Sequence, residues 1–167
     1  MVASAFLPVA WYHNKLFFLF GKEANDDTAP GFSDFGGRVE RGEDLFEAGL
    51  REMAEETTGF LGGPDDLRTM IHAHGGAMRI SHKSYHTHLF RMNYDTKLVK
   101  YYNNNHRFVA GRLNPAYLRK TMIFEKQELR WMSLDDMKQH RDEFRFFYRE
   151  MVDKLIRNAA KIEAFVR

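Results

Sequence analysis

Three glutamates, Glu52, Glu55 and Glu56, have the spacing best suited to chemistry in this chain. On a helix of 3.6 residues per turn they stand at i, i+3 and i+4 and share one face. Left alone, like charges so placed destabilise the helix by a few tenths of a kcal/mol per pair. A divalent cation reverses the sign of that energy. The ligands are hard oxygens with no cysteine or histidine among them, which points to Mg2+ or Mn2+ rather than zinc or copper.

The helix that must carry them is predicted to start near Asp44, an N-cap followed three residues later by Glu47 in a variant of the capping box. Phe46, Leu50, Met53, Ala54 and Thr57 recur at helical spacing on the opposite side and are expected to face a core. Arg51 lies one turn before Glu55, where its guanidinium can orient that carboxylate. Upstream, Gly36, Gly37 and Gly42 permit a tight turn and close approach of backbone oxygens to a ligand. Gly59 suits a helix C-terminal cap.

The pattern G-x5-E-x7-R-E-U-x-E-E, with U apolar, is met by Gly37, Glu43, Arg51, Glu52, Met53, Glu55 and Glu56, and over residues 37–60 it resembles the Nudix box. The preceding GFSDFGG is similar to the segment leading into that box in many members. The resemblance implies an α/β (α+β) Nudix fold, a mixed β-sheet sandwiched between helices. It also implies metal ligation by Glu52, Glu55, Glu56 and the Gly36 carbonyl, with Arg51 as orienter and Glu56 or a downstream glutamate as base. Members often place such a glutamate shortly before a tryptophan. Glu125 and Glu128 are the candidates before Trp131, and Arg130 holds the place that some members give to glutamate. One departure stands out: Thr58 occupies the family's usual glycine position and glycine comes one later, at Gly59. That shift is predicted to alter the helix exit and the depth of the pocket beside it.

A chain of 167 residues, 44% hydrophobic and 14% aromatic, suits one domain spanning 1–167. No apolar run has transmembrane length and the start lacks the regions of a signal peptide, so a soluble, cytoplasmic protein with no membrane partner is expected. The absence of cysteine excludes disulfides and thiolate chemistry. Charge is divided. Residues 1–67 hold 5 Lys/Arg against 13 Asp/Glu, a balance of −8, and residues 68–167 hold 20 against 10, a balance of +10. A metal-bearing acidic half and a basic half together suit a polyanionic substrate.

Residues 4–11 and 15–21 read as a β-hairpin, with Pro8 marking an edge strand or a bulge. Glu23 to Pro30 reads as a loop. From Leu67 to Met92 the pattern predicts two strands, with His72 and His74 on one face and His86 and His88 on another. Were those strands neighbours, the four imidazoles could approach a transition metal. Tyr94 to Arg112 reads as a long polar binding loop. There Tyr101, Tyr102 and Phe108 offer stacking surfaces and Arg107 a phosphate contact, with His106, Lys97, Lys100 and Arg112 alongside and Arg38 as a further substrate contact. Asn114-Pro115 opens a short helix through about Lys120, a strand lies around Glu128 to Met132, and Ser133 with Asp136 signals another cap. The last helix is predicted over Asp142 to Ala164, with Phe144, Phe147, Tyr148, Met151, Leu155 and Ile156 inward. Glu150–Lys154 and Asp153–Arg157 pair on its outer side, and Arg141, Arg145 and Arg149 form a stripe able to meet RNA phosphates.

The resulting expectation is a divalent-metal-dependent hydrolase that splits a phosphoanhydride in a nucleoside diphosphate-linked substrate, foremost the 5′ cap of RNA. Dinucleoside polyphosphates, diphosphoinositol phosphates and ADP-ribose are the alternatives. A Nudix-fold nucleotide- or RNA-binding module without catalysis is the alternative of another class. The sequence carries no signal for oligomeric state.

Overall fold

The computed structural model describes residues 1–24 and 27–167. The hairpin forms as β1 (Ala3–Tyr12) and β2 (Lys15–Glu23). His13 and Asn14 take φ of 46° and 59° in its two-residue turn, the left-handed pair that matches the twist of the flanking strands. Two strands follow, β3 (Gly31–Ser33) and β4 (Phe35–Arg38). Of the predicted loop between β2 and β3, residues 25 and 26 lie outside the described residues.

β1 and β2 part company half-way along their length. Val9–Tyr12 of β1 pair antiparallel with β2, whereas Ala3–Phe6 pair with β4. The far end of β2 pairs with β3. Along its other side β1 runs parallel to β6 (Tyr85–Arg91), which pairs with β5 (Ala77–His82), and β2 pairs with β7 (Lys126–Ser133). Strand β1 is therefore central, and Pro8 marks neither an edge nor a bulge. It sits in the gap between the β4 and β2 ladders, where a missing N–H costs least.

Helices cover both faces of this mixed sheet. Against one face pack α1 (Leu45–Glu56), α2 (Pro64–Ala73) and α3 (Thr96–Ala110), burying Leu50, Met53, Leu67, Ile71 and Tyr102 on Phe6, Leu19, Phe35, Phe90 and Leu129. The other face is closed by α5 (Leu134–Gln139), α6 (Arg149–Arg157) and α7 (Ala159–Val166), through Met137, Met151, Leu155, Ile162 and Val166. A short α4 (Pro115–Thr121) follows α3, capped as predicted by Asn114, whose side chain accepts the Ala116 N–H. Ser133 and Asp136 form the expected reciprocal cap of α5.

Three stretches fold differently from the prediction. Residues 64–73 form a helix, with Pro64 in its first turn beside Asp65 and Asp66, so the first expected strand is absent. His72 and His74 consequently leave the sheet, and the four imidazoles do not meet. His86 bonds Ser81, while His88 is buried and stacked on Phe6. Tyr94 to Arg112 is not a loop but carries α3, whose N-cap Asp95 accepts from Lys97 and Leu98. Its Leu98, Val99 and Tyr102 form a helical stripe that the asparagine run obscures.

The C-terminal helix is broken, with 3-10 turns at Arg141–Glu143 and Phe146–Tyr148 before α6 and a second break between α6 and α7. Phe147 is accordingly half exposed. The arginine stripe does not exist, because each member has an internal partner. Arg141 pairs with Asp153, Arg145 with Glu23 and Asp27, and Arg149 donates to the Phe144 and Asp142 carbonyls. Glu150 and Lys154 likewise turn to His82 and the Ser81 carbonyl rather than to each other. No helix among the described residues is long and apolar enough to cross a membrane.

Candidate active site

Helix α1 opens as its sequence dictates, with the Asp44 carboxylate accepting the Glu47 N–H at 2.8 Å. Glu47 itself reaches Arg68 rather than closing the capping box. Leu50 and Met53 anchor the helix, and Gly49 lets it close on β1, since a Cβ there would lie 2.8 Å from the Phe6 ring. Strand β4 passes just as tightly beneath. A Cβ on Gly36 would fall 2.2 Å from that of Ala5, and one on Gly37 would fall 2.6 Å from the Glu52 carboxylate. Only glycine lets the main chain lie against both β1 and the glutamates of α1.

The box glutamates divide into two environments. On the open side, Arg51 donates to Glu43 at 2.7 and 3.0 Å, to Glu52 at 2.8 Å and, more weakly, to Glu55 at 3.5 Å. It also donates to the Arg38 carbonyl at 3.1 Å. Its principal partners are thus Glu43 and Glu52 rather than Glu55, which is exposed. The Arg51 hydrogen bond holds Glu43 below the usual carboxylate range. Burial pushes Glu52 above it, against the pull of Arg51.

On the inner side Glu56 is buried. Its Oε2 accepts the Gly36 N–H at 2.9 Å and its Oε1 lies 3.5 Å from Lys126 Nζ. Lys126 is itself wholly buried, 2.5 Å from Glu23 and 3.0 Å from the Ser33 hydroxyl. Burial opposes its charge, but Glu56 and Glu23 outweigh that cost and hold the ammonium above the usual lysine range. Burial likewise pushes Glu56 well up, with Glu23, Glu125 and Glu52 adding to the rise.

Glu125 belongs to this group. It is half-buried, raised by burial and by the charges of Glu23, Glu52 and Glu55. Glu128 faces elsewhere and forms an ion pair with Arg130 at 2.8 Å. Beside Glu125 opens a cavity of about 340 Å³, bounded by Glu23 and Asp27 at an acidic end and by Leu118, Met122, Ile123 and Phe124 at an apolar one.

Of the predicted substrate contacts, Tyr101, Arg107 and Phe108 are exposed on α3, with the Arg112 guanidinium 3.7 Å over the Phe108 ring. Arg38 is exposed at the end of β4. Tyr102 is not available for stacking. It is buried, and its hydroxyl donates to the Lys126 carbonyl at 2.7 Å and to the Glu56 carbonyl at 3.2 Å. Lys126 and Glu23 carry the buried half of the site without any local sequence signal, being 103 residues apart.

The donor set suits a hard divalent cation in kind, since it gathers carboxylates whose ionisation each makes costlier for the others. As the side chains stand, Arg51 and Lys126 supply the counter-charge. Among the described residues no three His, Asp or Glu side chains converge into an ion cage.

No family model matches the chain, and no curated protein matches it. Solved structures do. A C. elegans Ap4A hydrolase in a binary complex superposes with a TM-score of 0.57 at 19% identity, over 97% of this chain and 98% of that one. A Nudix hydrolase from M. smegmatis, RenU, gives 0.57 at 14%, over 97% and 88%. The Nudix domain of Shewanella oneidensis NrtR, complexed with ADP ribose, gives 0.52 at 13%, over 95% and 88%. At these identities the likeness is one of fold.

Proposed function

From the Nudix fold of this chain we propose that it is a divalent-metal-dependent pyrophosphohydrolase, splitting a phosphoanhydride within a nucleoside diphosphate-linked substrate. The observation that carries this reading is the electrostatic coupling of Glu52, Glu55 and Glu56 on α1 to Glu125, which lines a cavity with an apolar wall. Glu52, Glu55 and Glu56, with the Gly36 carbonyl, would hold Mg2+ or Mn2+. When bound, the ion supplies charge neutralisation on the diphosphate and acidifies a water.

The chain's own groups do the rest. Arg51 fixes the orientation of Glu52. Glu125, kept less acidic than a free carboxylate by its surroundings, is suited to take the proton of the attacking water, with Glu56 as the other candidate base. The apolar wall of Leu118, Met122 and Phe124 accepts a nucleobase, and the polar mouth leaves the phosphates at the carboxylates. A dinucleoside polyphosphate, the substrate type named for one structural neighbour, meets these demands. ADP-ribose also carries a nucleobase, whereas diphosphoinositol phosphates share only the phosphoanhydride and offer no base to the apolar wall.

A second reading is favoured by one feature. Between residues 96 and 122 the chain carries six Lys/Arg and no Asp/Glu, with Tyr101, Phe108 and Tyr117 exposed among them. This arm suits the polymer tail of a capped RNA. The test is a hydrolysis panel of diadenosine polyphosphate, ADP-ribose, diphosphoinositol phosphate, cap dinucleotide and capped RNA, with Mg2+ or Mn2+, beside Glu56→Gln. Turnover of the preferred substrate is expected to fall by about 10²–10⁴ in the variant while the fold persists. Wild-type turnover in Glu56→Gln refutes the assignment. Capped RNA cleaved faster than the free cap dinucleotide, with steep loss on adding salt, selects the second reading.

A further inference from the structure

The departure at the end of the box has a structural counterpart. Thr58, where the family pattern has glycine, takes a left-handed φ of 54°, a conformation that a β-branched residue adopts only when its surroundings impose it. Its amide bonds the Glu55 carbonyl at 3.0 Å, and its hydroxyl accepts the Phe124 N–H at 2.9 Å. Phe124 lies in the turn between α4 and β7, where Met122 and Phe124 also take left-handed φ of 57° and 53°. The next residue is Glu125. On its other side the Lys126 carbonyl is held by the buried Tyr102 hydroxyl, which touches the Glu56 carbonyl as well. The Phe124 ring packs among Phe60, Tyr102 and His106. The chain is thus tied on each side of Glu125, through the Phe124 N–H to the exit of α1 and through the Lys126 carbonyl to α3.

We infer that Thr58 is a positioning residue, assisted by Tyr102, that fixes Glu125 at the cavity mouth against the carboxylates of α1. Glycine at position 58 would relax the helix exit but offer no hydroxyl, so the turn carrying Glu125 would lose its anchor. The role given to Glu125 rests on the hydrolase reading, whereas the tether itself does not.

Two measurements test this. Amide hydrogen exchange on the wild-type protein and on Thr58→Val, Thr58→Ser and Thr58→Gly reads the tether directly. The Phe124 amide is expected to exchange at least about tenfold faster in the Val and Gly variants and near the wild-type rate in Ser. Steady-state kinetics on the panel's best substrate read its consequence. Thr58→Val is expected to lower kcat by about tenfold with KM within about twofold, and Thr58→Ser to restore it. Thr58→Gly removes the strain as well as the hydroxyl, so its thermal stability should stay close to that of the wild type while kcat falls, which separates positioning from unfolding. Unchanged Phe124 exchange in Thr58→Val overturns the tether whatever the activity. Faster exchange with unchanged kcat overturns the positioning of Glu125. If the wild-type protein cleaves nothing in the panel, the hydrolase reading fails and the exchange result still decides the tether.

Discussion

Helix α1 carries its glutamates into two opposite electrostatic settings. At the open end Arg51 gathers Glu43 and Glu52 at a surface where water screens them, its own side chain about a quarter exposed. One turn later Glu56 enters the interior and meets Lys126, of which 1% is exposed, together with Glu23. Both clusters set glutamates against a cation at similar distances, a guanidinium in one and an ammonium in the other, yet they do different things. Exposed pairs gain little net energy and exchange partners readily. A buried cluster is held by the cost of leaving any member uncompensated. Helix α1 therefore carries glutamates that can change partners at the surface and one whose place is fixed by the fold.

The sharpest way to break this contrast is Lys126→Met. Removing the ammonium leaves Glu23 and Glu56 buried together, with Arg145 3.0 Å from Glu23 as the remaining counter-charge. The expected cost is about 3–5 kcal/mol in urea unfolding of the metal-free protein. Glu56→Gln added to Lys126→Met should recover part of it, because the uncompensated charge is then gone. Mn2+ should raise the thermal midpoint of Lys126→Met more than that of the wild type, since a cation again faces Glu56. A loss below about 1 kcal/mol would mean that the buried cluster is worth no more than the open one.

The buried side extends to Asp34, between β3 and β4, and pH sharpens the comparison there. Asp34 accepts from Tyr85 at 2.5 Å and Thr87 at 2.7 Å, but burial outweighs these bonds and raises it from 3.8 to about 6. A raised carboxylate binds its proton more tightly in the folded state than in the unfolded one. Its contribution is therefore complete below pH 3.8 and is lost as pH rises through about 6. Two units correspond to roughly 2–3 kcal/mol. Asp34→Asn should flatten the stability profile across that window, measured by urea unfolding at a series of pH values. An unchanged slope would remove Asp34 from the account.

The same division separates what was legible in the sequence from what was not. Helix α1, its Asp44 cap, the His13–Asn14 turn of the hairpin, the Asn114 cap and the Ser133–Asp136 box depend on residues within four positions of one another, and local pattern expresses them. Helix α2 announced itself through Pro64, Asp65 and Asp66, a signal outweighed by the strand-like alternation that follows. In α3 the run of three asparagines masked Leu98, Val99 and Tyr102, which pack because β7 lies beneath them. The Lys126–Glu23 pair and the partners of Arg141, Arg145 and Arg149 had no local signature, since each depends on which elements the fold brings together. The glutamates of α1, Glu56 among them, were therefore readable from spacing, whereas the Lys126–Glu23 pair beside Glu56 and the tethering of Glu125 required the tertiary arrangement.

The smallest effect, and the most direct probe of the open cluster, belongs to Arg51→Gln. Three carboxylates lose their shared cation, so a count of contacts alone would forecast a large loss. Screening argues otherwise, because the chains freed by the substitution can rehydrate at little cost. The expected change is about 0.5–1 kcal/mol at low ionic strength, shrinking towards zero near 1 M salt, where the Debye length falls to about 3 Å. Lys126→Met should keep most of its cost under the same conditions, since no mobile ion reaches the site that Lys126 fills. Urea unfolding of both variants at the two salt concentrations gives four numbers. Equal salt sensitivity in the two would show that the buried and open glutamates of α1 share one environment after all.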